Sequence, residues 1–166
     1  MPRTALIIEV PEAEPAIGDL RLQHDPSAAQ GVGAHVTVLF PFAETVDEDA
    51  VADLFLRFRP FDYTLDRIAW FEAGPVWLRP TPTAPFVDLT AAVVQRWPDY
   101  PPYEGEHDEI IPHVTISVTP VDVNVPLPIA CHAHEVTLIE QSDDDGRWSV
   151  VRRFPLGSGV AAHPVE

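Results

Sequence analysis

The sequence predicts an α+β chain built from two related halves, and three observations carry that expectation. Stretches that alternate apolar and polar residues interleave with stretches whose apolar residues recur at helical spacing. Each half holds a His-x-Thr strand followed later by a β-hairpin: 35–40 with 63–79, and 113–118 with 135–155. Finally, 166 residues with 46% hydrophobic content can bury a real core within one domain's size range, so one compact unit of one or two lobes is expected.

Taken in order, Ala5 to Val10 reads as a strand and Pro11 to His24 as a short helix, with loop signals at Asp25-Pro26-Ser27 and Gly31-Val32-Gly33. His35 to Phe40 is the next strand. Thr45-x-x-Glu48 forms a capping box for a helix whose Val51, Leu54, Phe55 and Phe58 share one face. Tyr63 to Phe71 and Val76 to Arg79 read as strands turned across Glu72-Ala73-Gly74-Pro75. Pro85 in a first turn then opens a second helix with Phe86, Leu89, Val93 and Trp97 in register. Strand alternation resumes from Ile110 to Val118, and a proline-rich passage follows from Pro120 to Pro128. A last hairpin has arms Glu135 to Glu140 and Arg147 to Pro155, turned by Asp144-Asp145-Gly146. One domain over 1–156 is expected, with 157–166 a frayed tail.

The formal net charge of -16 is far too acidic for gripping long nucleic acid through its phosphates, so any phosphorylated substrate should be short. All ten basic residues are arginine. Without lysine there is no adenylated lysine of an ATP-dependent ligase, no Schiff base and no P-loop lysine. Cys131 is the single cysteine and reads as a core or surface residue. Met1 to Val10 lacks the features of a signal peptide and no stretch approaches a membrane span, so a cytoplasmic monomer is expected.

The two motif segments, Ala34-His35-Val36-Thr37-Val38-Leu39-Phe40 and Pro112-His113-Val114-Thr115-Ile116-Ser117-Val118, repeat the order His, apolar, Thr, apolar. In a strand, residues i and i+2 share a face. His35 and Thr37 therefore project together, as do His113 and Thr115, opposite their apolar neighbours. One copy alone would be an ordinary half-exposed strand; two copies in matching positions, brought together across a cleft, would converge two imidazoles and two hydroxyls. Such a pocket suits displacement at phosphorus. One imidazole takes a proton from the nucleophile, the other protonates the leaving oxygen, and the hydroxyls hold the non-bridging oxygens. This chemistry requires neither metal nor cofactor.

The paired His-Val-Thr-Val and His-Val-Thr-Ile motifs resemble those of the 2H phosphoesterase superfamily, which includes 2′-5′ RNA ligases and cyclic nucleotide phosphodiesterases. Longer stretches are similar to a bacterial branch of 2′-5′ RNA ligase family proteins: 33–42, Tyr100-Pro101-Pro102-Tyr103, and Gly146-Arg147-Trp148-Ser149-Val150 leading to Arg153-Phe154-Pro155-Leu156. The resemblance, from about Ala5 to Leu156, implies a bilobal fold of pseudo-twofold antiparallel sheets, with helices on the outer faces and a central cleft. It implies that His35 and His113 are acid and base, that Thr37 and Thr115 bind phosphate, and that the substrate is a 2′,3′-cyclic phosphate or 2′-5′ linkage in a small nucleotide or short RNA. Basic residues near the cleft are also implied. Of Arg152 and Arg153 at most one points inward, because they alternate faces. The proline-rich passage at 120–128 stands where the resemblance implies a helix.

Among the aromatic residues, Phe40, Phe42, Trp70 and Phe71 are expected to be mainly core, whereas Tyr103 and Trp148 are candidate cleft residues. Metal-like clusters have simpler readings. His107-Asp108-Glu109 with His113 matches no standard spacing, His132-x-His134 reads as surface, and Asp143-Asp144-Asp145-Gly146 reads as a hairpin turn rather than a calcium loop. The competing functions are a non-catalytic module that binds a nucleotide or phosphometabolite in the same cleft, and an ATP-independent 2′-5′ RNA ligase.

Overall fold

The computed structural model describes residues 3–72, 74–105 and 110–157. His107, Asp108 and Glu109, and the tail beyond Gly157, lie outside the described residues. Eight strands form a single curled antiparallel sheet: β1 (Arg3–Glu9), β2 (His35–Leu39), β3 (Phe61–Trp70), β4 (Val76–Thr81), β5 (Val114–Ser117), β6 (Ile129–Ala133), β7 (Glu135–Gln141) and β8 (Trp148–Pro155). Their order across the sheet is β6-β3-β4-β5-β2-β1-β7-β8, so the two motif strands sit side by side at its centre.

The join between the halves is narrow. β2 and β5 pair only through Val36 opposite Val114, whereas β1 and β7 pair over five residue positions. The connectivity differs from a simple repeat of each motif with its own hairpin. β4, from the first hairpin, pairs with β5, while β2 pairs with β1, which leads to the β7–β8 hairpin. Each motif strand therefore belongs to the lobe carrying the other half's hairpin.

Four helices are present among the described residues, α1 (Glu14–His24), α2 (Pro26–Ala29), α3 (Glu48–Phe55) and α4 (Ala84–Arg96); α3 and α4 follow the apolar periodicity. Ile17 of α1, Val51 and Phe55 of α3, and Phe86, Leu89 and Val93 of α4 join one core with Leu6, Ile8, Val36, Val38, Val114 and Ile116. That face of the sheet is covered, and the motif side chains lie on the other. Burying these aliphatic and aromatic side chains contributes roughly 1.5–3 kcal/mol each before conformational entropy is subtracted.

Several boundaries differ from expectation for identifiable reasons. The α3 cap is Asp47, whose Oδ1 accepts from the Ala50 N–H at 3.2 Å, in place of Thr45, because the helix begins only at Glu48. Pro26 starts a short helical turn where the sequence predicts a loop, capped by Asp25 Oδ1 accepting from Ser27 N–H at 3.1 Å. Pro112 offers no N–H for a ladder, and regular pairing in the second motif begins at Val114 instead of Ile110. The passage 120–128 carries no regular element, and β6 follows it directly. β6 escapes a local reading because it is short, directly follows a proline run, and gains its strand state by pairing with β3.

Candidate active site

The alternation of β2 and β5 decides which side chains face the site. Val36, Val38, Val114 and Ile116 are buried, while His35, Thr37, His113 and Thr115 are half-buried on the opposite face. With Val36 opposite Val114 in an antiparallel pair, the same register carries His35 toward Thr115 and Thr37 toward His113. The four polar side chains thus share one face of two adjacent strands.

Both imidazoles are held in the same way. His35 Nδ1 lies 2.8 Å from the Gly33 carbonyl oxygen, and His113 Nδ1 lies 2.6 Å from the Ile111 carbonyl oxygen. A carbonyl can only accept, so each Nδ1 carries the proton and donates it. Each Nε2 is left as the group available for proton transfer. Burial lowers the pKa of both rings. For His35, Arg21 and His113 act in the same direction, against the Gly33 carbonyl and Asp25; for His113, only the Ile111 carbonyl opposes.

Tyr103 belongs to this site. Its backbone N–H donates to the Phe40 carbonyl at 2.7 Å, its φ is +51°, and its side chain hydrogen-bonds Thr37. Burial pushes the phenol pKa up and keeps it protonated. The hydrogen bond between the two hydroxyls holds Thr37 Oγ1 in place on the face of His35. Trp148 lies on the same face of the sheet, on the edge strand β8 three strands from β2. It pairs with Gln141 on the face of Ile139 and Thr137 and meets Phe40 edge-on at 6.0 Å. With Ala5, Ile7, Val32 and Ile139 these rings make a small apolar cluster separate from the main core. Arg153 is the inward member of its pair: its guanidinium Nε lies 3.1 Å from Glu9 Oε1 and 3.3 Å from Glu135 Oε2. Arg152 turns outward to Glu48 and Asp49 of α3.

Three features escape the local reading. Arg21, 1% exposed, bonds the Thr115 carbonyl through Nε at 3.2 Å, the Val32 carbonyl through Nη1 at 2.9 Å and Asp25 through Nη2 at 3.0 Å. It ties α1 to the second motif strand and to the loop entering the first. Phe71, expected in the core, instead meets His113 edge-on at 5.1 Å and stacks on Trp77 at 4.9 Å. Trp77 lies 5.7 Å from the His113 ring. The available signal is parity, because Ala69, Phe71, Trp77 and Arg79 share the face of Thr115 once β3 and β4 are in register. Trp70, on the opposite parity and also expected in the core, is 71% exposed.

The remaining candidates fall elsewhere. His132 and His134 stack at 6.1 Å on the edge strand β6 and its exit, with His132 Nδ1 2.7 Å from Asp62. Asp143 to Gly146 form the hairpin turn, with Gly146 at φ +73° and its N–H donating to the Ser142 carbonyl at 3.1 Å. Cys131 is buried in the core, where burial is the largest cause pushing its thiol pKa up to about 11. Among the described residues, no group of three or more His, Cys, Asp or Glu side chains is arranged to hold a metal ion, and no helix is long and apolar enough to cross a membrane.

Residues 9–150 match the model of the 2′-5′ RNA ligase superfamily, a span that includes both His-x-Thr strands. The chain belongs to this superfamily. Its fold matches E. coli LigT complexed with 3′-AMP at 23% identity and a TM-score of 0.67, covering 95% of this chain and all of that one. E. coli LigT complexed with NADP+ matches at 22% and 0.65, covering 94% and 98%. The protein TT0787 of Thermus thermophilus matches at 19% and 0.63, covering 93% and 97%. No curated protein sequence matches the chain. At these identities the structural likeness establishes the 2H phosphoesterase fold, and the superfamily match supports a phosphoesterase or 2′-5′ ligase type of function.

Proposed function

We propose that this superfamily member is a metal-independent phosphoesterase that hydrolyses a 2′,3′-cyclic phosphate or a 2′-5′ phosphodiester in a small nucleotide. The observation that carries the reading is the mirrored Nδ1-to-carbonyl hydrogen bond of His35 and His113, which leaves both Nε2 atoms as the working nitrogens on one face of adjacent strands. In hydrolysis one neutral imidazole takes a proton from water as its oxygen attacks phosphorus. The other, protonated, gives its proton to the departing ribose oxygen, leaving a phosphomonoester and a free hydroxyl. Thr37, oriented by Tyr103, and Thr115 donate to the non-bridging oxygens and hold phosphorus between the rings. That E. coli LigT, a protein of the same fold, has been found complexed with 3′-AMP and with phosphate supports the reading. Hydrolysis is favoured over RNA joining because a net charge of -16 repels a long polyanion.

The test is turnover of 2′,3′-cyclic nucleotides and 2′-5′ linked dinucleotides in EDTA by wild type, His35→Ala and His113→Ala. Activity that survives chelation and is lost in both variants supports the reading; wild-type activity in either variant overturns it.

A further inference from the structure

The face that carries His113 continues into a positively charged recess whose charges have no partner among the described residues. β4 pairs with β5 through Trp77 opposite Thr115 and Leu78 opposite Val114, and the next positions in that register are Arg79 and His113. Arg67 of β3 is in turn opposite Arg79. The two guanidinium-bearing residues, both exposed, line a recess of about 380 Å³ together with Trp77, Thr83, Ile111 and Pro112.

Like charges directly opposite on paired strands are destabilising. The chain has 26 acidic residues available to offset them, yet neither Arg67 nor Arg79 makes an ion pair, hydrogen bond or ring contact with a described residue. Asp66, the adjacent carboxylate at the β-bulge, accepts from Thr81 Oγ1 at 3.0 Å instead. A second feature points to a ligand: Trp77 is only 8% exposed, and its indole Nε1 is a buried donor without an acceptor among the described residues.

We infer that Arg67, Arg79 and Trp77 form an anion subsite for a second phosphoryl group, so that the preferred substrate is a nucleotide carrying a phosphate besides the one held at the histidines. This rests on the phosphoesterase reading for the position of the first phosphate. Paired guanidinium forks suit a terminal phosphate because each can donate two parallel hydrogen bonds to it. The Trp77 N–H is a donor without a partner among the described residues, on a side chain that lines the same recess.

Binding of adenosine 3′-monophosphate and adenosine 3′,5′-bisphosphate, measured by calorimetry at fixed salt, tests the subsite without requiring turnover. Wild type should bind the bisphosphate about 10- to 100-fold more tightly. Arg67→Ala and Arg79→Ala should each reduce that ratio, the double variant should abolish it, and Trp77→Phe should reduce it in part. Arg57→Ala, which removes the same charge outside the recess, should keep it. Equal affinities in wild type, a ratio that survives the double variant, or an equal loss in Arg57→Ala would overturn the subsite. Because both ligands are unreactive monoesters, these results are independent of whether the histidine variants lose hydrolysis.

Discussion

The two motif strands are near copies, but the strands flanking them are not. Beside His35 the neighbouring strand places Glu9, which accepts from Thr137 Oγ1 at 2.8 Å and pairs with Arg153. Beside His113 it places the Phe71–Trp77 stack, followed by two arginines unpaired among the described residues. One side of the site is thus an ion-pair network in which Glu9 and Glu135 share Arg153, and the other is aromatic with positive charge uncompensated among the described residues. A duplicated His-Thr geometry sits in an asymmetric field. An anionic substrate can therefore distinguish two ends that the motifs alone would leave equivalent.

The largest expected effect tests the symmetric part. His35→Ala and His113→Ala should each lower kcat/KM by about 100- to 10,000-fold with the fold retained, measured on a 2′,3′-cyclic nucleotide. A large loss in one variant only would mean that the copies do not share acid and base roles. Arg21→Met leaves Asp25 buried without its cation and unties the Thr115 carbonyl, and should cost about 3–5 kcal/mol in denaturant unfolding. Because Arg21 bridges α1, the Val32 carbonyl and β5, its loss should also lower kcat with either histidine intact.

The pH dependence sharpens the comparison further. Both imidazoles have pKa values lowered from 6.5, so an enzyme needing one neutral and one protonated ring should show its kcat/KM maximum below about pH 6.5. A maximum above pH 7 would contradict that protonation scheme. The same shifts act on stability: the unfolded chain binds more protons near pH 6, so the contribution of these rings is present above 6.5 and lost as pH falls toward the folded values. Replacing both with glutamine should flatten that part of the stability profile, read from unfolding midpoints between about pH 5 and 7. The smallest effect belongs to Tyr103→Phe, which removes the hydrogen-bond partner of Thr37 and should cost about 1 kcal/mol in kcat/KM, roughly fivefold. The equivalent position beside Thr115 has no such phenol, so a Thr115 variant should be indifferent to the Tyr103 change in a double-mutant cycle.

How much of this is legible in the sequence depends on whether the signal is local. Period-two alternation places His35 with Thr37 and His113 with Thr115, because side-chain parity along a strand needs no knowledge of its partner. Tyr103 and Trp148 are reachable through the resemblance of their surrounding segments; Tyr103 hydrogen-bonds Thr37, whereas Trp148 lies on the same sheet face against Phe40. Phe71 reads as core because the bulge between Leu65 and Arg67 shifts the parity of everything after it in β3. A bulge is set by the partner strand and leaves little mark in a single sequence.

By itself, then, the sequence determined the strand periods, the two His-x-Thr faces, the absence of lysine chemistry and the strongly acidic net charge. Only the tertiary structure decided that β4 joins β5 and β1 joins β2, exchanging the hairpins between lobes. It alone brought Arg21 from α1 onto the Thr115 carbonyl and set Arg67 opposite Arg79. The physical reason is that alternation and charge are properties of neighbouring residues. Register and pairing depend instead on which distant strands bury their apolar faces together, and that is settled only when the whole sheet closes over its core.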